Sequence, residues 1–147
     1  MTLRKQENTM GALEINIFAV VAAAVSALVL GVLWYSPVLF RSVWMKVHGF
    51  AEGRILDFRR TNARAFTVTA VCYVVMAIMF SLLISYTRVT SAAGGLWLGF
   101  VVWLGFAFTI GLAGSIFSEK TVSAFLIDAS YQLAYLLVMG AILGSWH

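Results

Sequence analysis

The sequence predicts an all-α polytopic membrane protein, with four transmembrane helices and a short cytoplasmic interfacial helix after the first. Three observations predict it. Of 147 residues, 62% are hydrophobic and 11% charged, against about 25% charged in soluble domains, so water is not the solvent for most of this surface. Four apolar stretches, 17–35, 65–86, 92–117 and 121–146, can each cross a hydrocarbon core of about 30 Å at about 1.5 Å per helical residue. No segment shows the alternating units of about ten residues that mark a membrane barrel. Backbone in lipid must satisfy its own hydrogen bonds, which leaves helices.

By length the chain is one transmembrane domain over residues 1–147, with helices predicted at 15–36, 63–87, 92–117 and 121–146. Residues 1–11 are polar and read as a flexible tail, and Met10 competes with Met1 as the start. The first span follows Arg4 and Lys5 as a signal peptide would. Its apolar run exceeds the usual length of about 7–15 residues, however, and it leads into aromatic residues rather than a cleavage site. It is therefore read as retained.

That span ends in WYSP. Trp34 and Tyr35 are amphipathic rings of the kind that settle at a membrane interface. Pro37, the one proline, suits the first turn of a new helix, and Ser36 before it is a good N-cap. The expectation is a break and then an interfacial helix over 37–47. Its Phe40, Val43, Trp44 and Val47 recur at three- and four-residue spacing, as in helices that lie along a bilayer. A kinked continuation of the first helix is the other reading. Residues 48–62 mix acids with arginines and read as a solvated cap. Arg41, Lys46, Arg59, Arg60 and Arg64 are candidate contacts for lipid headgroups, or simply a topology signal.

The second span then runs to a tight hairpin at 87–91, and the third to another at 118–120. Orientation follows from the basic residues. Arg41, Lys46, Arg54, Arg59, Arg60, Arg64 and Lys120 fall on one side; only Arg4, Lys5 and Arg88 fall on the other. Positive loops stay in the cytoplasm, so both termini are expected outside a bacterial inner membrane. Gly95 and Gly99 on the third span, and Gly140 and Gly144 on the fourth, are spaced for close helix approach. They serve either contact between those two spans or homo-oligomerisation.

The fourth span holds the one charge within any span, Asp128. It lies seven residues past Thr121, about 10 Å into the membrane. Insertion scales put a carboxylate at the centre of a span at about 2.5–3.5 kcal/mol, so such groups face protein or water. Asp128, Tyr131, Gln132 and Tyr135 fall at i, i+3, i+4 and i+7, one polar stripe. This stripe and Trp34, Tyr35 and Ser36 share a leaflet and form the candidate polar site, with a basic side chain beside it. A packing role for Asp128 alone is the competing reading.

Chemistry for catalysis is missing. His48 and His147 have no metal-binding spacing, no Gly-rich phosphate loop is present, and Ser115 in GSIF is no nucleophile elbow. The lone Cys72 sits in an apolar run and reads as inert packing. No enzyme activity, metal, cofactor or nucleic-acid partner is expected.

Two stretches, LWYSPVLFRSVWMK at 33–46 and FLIDASYQLAYLLVMGAILGSW at 125–146, resemble the bacterial integral-membrane family called domain of unknown function 1761. The resemblance covers the chain from about residue 12. It implies four helices, a WYSP signature closing the first and an acidic residue in the fourth. Gly-Lys often follows the LF pair in that family; here Arg41 and Ser42 stand there. The resemblance implies no activity. The expectation is a non-enzymatic membrane protein that binds a lipid, a small amphiphile or a partner subunit through the Asp128 face. The alternative is a small proton-coupled transporter or permease using Asp128. Small multidrug exporters carry their acid in the first helix instead, where this chain has none.

Overall fold

The computed structural model describes residues 15–47 and 55–146; side chains at 47 and 55–62 lie outside that description. The helices are α1 (Ile17–Trp34), α2 (Arg41–Val47), α3 (Ile55–Thr87), α4 (Ala92–Phe117) and α5 (Val122–Ser145). No strand occurs among the described residues. Four of these are long and apolar enough to cross a membrane: α1, the Ala63–Thr87 part of α3, α4 and α5.

Local chemistry sets the helix ends. The Asn16 side chain accepts from the N–H groups of Phe18 and Ala19, Ser91 from Gly94, and Thr121 from Ala124, each filling orphan donors of a first turn. The two hairpins share one closing device. Val89 N–H bonds back to Ile84 O at 3.1 Å, and Lys120 N–H to Ser115 O at 3.0 Å. These are Schellman caps, with Arg88 (φ 54°) and Glu119 (φ 53°) in the left-handed position.

α5 is the central helix. It packs on α4 and α1, and less extensively on α3, while α1 also packs on α3. The core joins the small face of α1 (Ala19, Ala23, Ala27) to Tyr73 and Phe80 of α3 and Met139 of α5. Between α4 and α5 the backbones meet directly. A Cβ on Gly95 would fall on the carbonyl of Gly140, one on Gly99 would lie 2.5 Å from Leu136 O, and one on Gly144 2.6 Å from Ser91 O. The four glycines thus serve the contact within the chain. Away from it α4 is bare, with Trp97, Phe106 and Ile110 exposed, an apolar surface suited to lipid and not to water.

A π stretch at Trp103–Phe108 interrupts α4. Over the 20 residues from Gly95 to Ser115 a regular helix would turn its inward face about 200° away. The wider π winding takes back about 100°. Gly95, Gly99 and Ser115 are all buried, and Gly111 partly so. The Thr109 hydroxyl donates to Gly105 O and Phe106 O within this stretch.

Three expectations need correction. The interfacial helix begins at Arg41, not Pro37: residues 35–40 fold as turns, with Leu39 and Arg41 N–H bonded to Ser36 O and Phe40 N–H to Trp34 O. Among the described residues the Ser36 side chain caps nothing; its carbonyl does the work. α3 begins at Ile55, eight residues before the predicted start at 63. Hydropathy marks where a span enters lipid, whereas nothing from Ile55 onward breaks a helix. Cys72 is exposed on α3 rather than packed inside. The expectation for 48–54 lies outside the described residues.

Candidate functional site

The WYSP turns bring the end of α1 over the first half of α5. The Tyr35 hydroxyl donates to Asp128 Oδ1 at 2.9 Å, and the Trp44 indole N–H donates to the same oxygen at 3.3 Å. Their rings meet edge to face at 5.7 Å, and Tyr35 meets Tyr131 in the same way at 5.3 Å. Aromatic pairs of this geometry add stability beyond buried area. α2 is thereby fastened to the bundle through Trp44, a residue the sequence placed on an apolar membrane-facing stripe.

The predicted stripe divides. Tyr131 and Tyr135 are buried toward α1 and α3. Tyr73 donates to the Tyr131 hydroxyl at 2.6 Å, which donates onward to Ala27 O at 2.9 Å. Tyr135 joins by its ring, 5.1 Å from Tyr131 and 5.2 Å from Tyr73. Gly31 makes room for this cluster, since a Cβ there would sit 2.6 Å from the Tyr131 hydroxyl. Trp34, expected at the interface, is turned inward against Phe40 and Tyr131. Its indole N–H is buried with no partner among the described residues.

Asp128 and Gln132 turn the other way, toward α4. Beyond the π stretch α4 leaves a cleft of about 260 Å³ against α5, lined chiefly by Ser115, Ser118, Lys120, Phe125, Asp128 and Gln132, with Gly111 and Gly114 in its wall. Above it the Trp103 indole N–H donates to Ala129 O at 2.9 Å. Asp128 Oδ2 lies 3.9 Å from Lys120 Nζ, with side chains 29% and 45% exposed. That separation is an ion pair too long for a hydrogen bond. Gln132 makes no hydrogen bond among the described residues.

The candidate residues therefore part into three groups. Asp128 and Tyr35 meet directly; Tyr131, Tyr135 and Trp34 form an aromatic cluster behind them; Gln132 faces the cleft. Ser36 contributes only its backbone. Arg41, Lys46 and Arg64 stand on the same side of the bundle, half-buried or exposed, and the side chains of Arg59 and Arg60 lie outside the described residues. Sequence reasoning missed Lys120, Trp44, Tyr73 and the two serines. Tyr73 had a visible signal, a phenol in the middle of an apolar span, and Lys120 is the one cation in the hairpin that opens α5.

The family described as "Protein of unknown function (DUF1761)" matches residues 18–144. The chain belongs to this family. The match runs from the second residue of α1 to the penultimate residue of α5, so the WYSP corner, Asp128 and the cleft of this DUF1761 protein all lie within it. Neither the comparison with curated proteins nor that with solved structures gives a match. Membership carries the multi-pass architecture and no activity.

The aromatic cluster of the DUF1761 protein yields a direct expectation. Gly31→Ala should cost about 1–3 kcal/mol by overpacking against the Tyr131 hydroxyl. Tyr131→Phe alone should cost about 1–3 kcal/mol for its two lost hydrogen bonds, to Tyr73 and Ala27 O. The double variant should lose less than the sum, because the obstructing oxygen is gone. Thermal melting in detergent checks this, and strict additivity would contradict the contact.

Proposed function

We propose that this is a non-enzymatic membrane protein that binds a lipid or small amphiphile in the cleft between α4 and α5, in the cytoplasmic leaflet of a bacterial inner membrane. One observation carries the reading. Asp128 Oδ1 is taken by Tyr35 and Trp44, while Oδ2, Lys120 Nζ and the Gln132 amide all border the cleft without a hydrogen-bond partner among the described residues. Polar groups at membrane depth are costly unless paired. A purely structural role accounts for Oδ1, and the loose ion pair leaves Oδ2 and Lys120, like the Gln132 amide, short of a hydrogen bond. A polar headgroup supplies what they lack, and the neighbouring lipid takes its apolar part.

Gly114 allows a steric test. It lines the cleft, and a Cβ built there has no neighbour within 4 Å. Gly114→Phe should fill the space while leaving the melting temperature nearly unchanged. Native mass spectrometry after gentle detergent extraction should then find a bound amphiphile on the wild type and little on the variant. Equal retention by both would remove the reading.

A proton-coupled permease is the second reading. It is favoured by the asymmetry of the α4–α5 pair, open beside Asp128 and closed by backbone contact at Gly95 and Gly140. It requires substrate-dependent proton flux in liposomes that Asp128→Asn abolishes while assembly persists.

A further inference from the structure

We infer that the group the cleft takes is the headgroup of an aminophospholipid, a phosphodiester joined to a primary ammonium. This rests on the amphiphile reading above and narrows it. The first argument is charge. Among the described residues the cleft is lined by one cation, Lys120, and one anion, Asp128, so these charged groups balance. A ligand of net charge would leave an unmatched charge where the surroundings are apolar, which is costly. A zwitterion leaves none. Its phosphate oxygens accept from Lys120 Nζ, and its ammonium donates to Asp128 Oδ2. The loose 3.9 Å approach of those two groups leaves both able to take a ligand partner without first breaking a hydrogen bond.

The second argument distinguishes a primary ammonium from a quaternary one. Quaternary ammonium groups have no N–H and are recognised by cages of aromatic faces. Among the described residues Phe125 is the one aromatic in the lining, and beside the Lys120 ammonium and the Gln132 amide N–H the lining offers oxygens able to accept: Asp128 Oδ2, the Gln132 amide oxygen, and the hydroxyls of Ser115 and Ser118. Those hydroxyls already direct their protons to Leu112 O and Gly114 O, so toward the cleft they offer lone pairs. Three N–H donors match that set; three methyl groups do not.

The third argument concerns size. Pockets that enclose a drug-sized ligand run to about 300–1,000 Å³. A cleft of about 260 Å³ between membrane-crossing helices holds a headgroup and leaves two acyl chains in the bilayer. The occupant is accordingly a lipid rather than a free zwitterion carrying the same two groups.

The test reconstitutes the full chain in nanodiscs of equimolar phosphatidylethanolamine, phosphatidylcholine and phosphatidylglycerol, and reads retained lipid by native mass spectrometry. The expected result is a preference of about tenfold or more for the ethanolamine lipid, the scale of a charge-assisted hydrogen bond. Asp128→Asn should erase the preference, and Lys120→Gln should lower retention of all three lipids alike, each at unchanged melting temperature. Adding soluble phosphoethanolamine should compete poorly. Retention that is lost in Gly114→Phe but shows no headgroup preference would overturn this inference and leave the amphiphile reading standing. Preference for the glycerol lipid would overturn it too. Displacement by phosphoethanolamine at low concentration would make the occupant a soluble zwitterion and overturn the lipid assignment. No retained lipid in any arm would overturn both readings.

Discussion

Gly140→Leu should separate α4 from the rest of the bundle. A side chain at this position has nowhere to go, since its Cβ would meet the carbonyl of Gly95 on one side and the Phe80 ring on the other. Where a core residue can yield, an oversized side chain costs about 1–3 kcal/mol. Here the obstacle is the backbone of Gly95 on α4. We therefore expect a loss of about 3 kcal/mol or more, read as a large fall in melting temperature in detergent. Gly105→Ala is the control. It lies in the π stretch with open space around its Cβ, and should change stability by less than about 1 kcal/mol. Equal behaviour of the two variants would mean that the glycine contact is not what joins these helices.

Asp128 gives the second large effect, and two substitutions divide its roles. Asp128→Leu removes the acceptor for Tyr35 and Trp44. A hydrogen bond to a charged group is worth about 1.5–3 kcal/mol. Against that, replacing a carboxylate with leucine in a span recovers about 3 kcal/mol on insertion scales. Two such bonds are lost, about 3–6 kcal/mol together, so the gain offsets only part of the loss and the global melting temperature should fall modestly. The local effect should be large. With the corner released, amide exchange over 35–46 should quicken roughly ten- to a hundredfold. Asp128→Asn keeps an oxygen for both donors and loses only the charge, so exchange there should stay slow while ligand retention falls. If the asparagine variant frees the corner as leucine does, the charge is needed for the turn itself. If it retains ligand like the wild type, the charge has no part in binding.

Much of this arrangement was legible in the sequence. The four spans follow from hydropathy and length, and both hairpins fall where the apolar runs break. The pairing of the WYSP corner with Asp128 was readable too. Counting spans puts the end of the first and the start of the fourth in one leaflet, and a lone carboxylate there must find donors. What the sequence hid has a physical cause in each case. The start of α3 at Ile55 was hidden because hydropathy reports the lipid boundary rather than the helix boundary. The stripe of Asp128, Tyr131, Gln132 and Tyr135 was read as one face, yet Tyr131 and Gln132 are consecutive and about 100° apart on a helix. With neighbours on both sides of α5, each edge of the stripe meets a different partner. The cleft was out of reach because it depends on the π stretch in α4, for which a periodic pattern gives no sign. Lys120 counted only as a topology charge until the Schellman cap at Glu119 turned the chain and set its side chain beside Asp128.

The most direct test is a structure determined in nanodiscs containing ethanolamine phospholipid, with attention to the gap between Lys120 Nζ and Asp128 Oδ2. We expect density for a headgroup in that gap, its phosphate on the lysine and its ammonium on the carboxylate, with Tyr35 and Trp44 still holding Oδ1. A cleft that holds no lipid, with the lysine closed onto the carboxylate in a direct hydrogen bond, would contradict it.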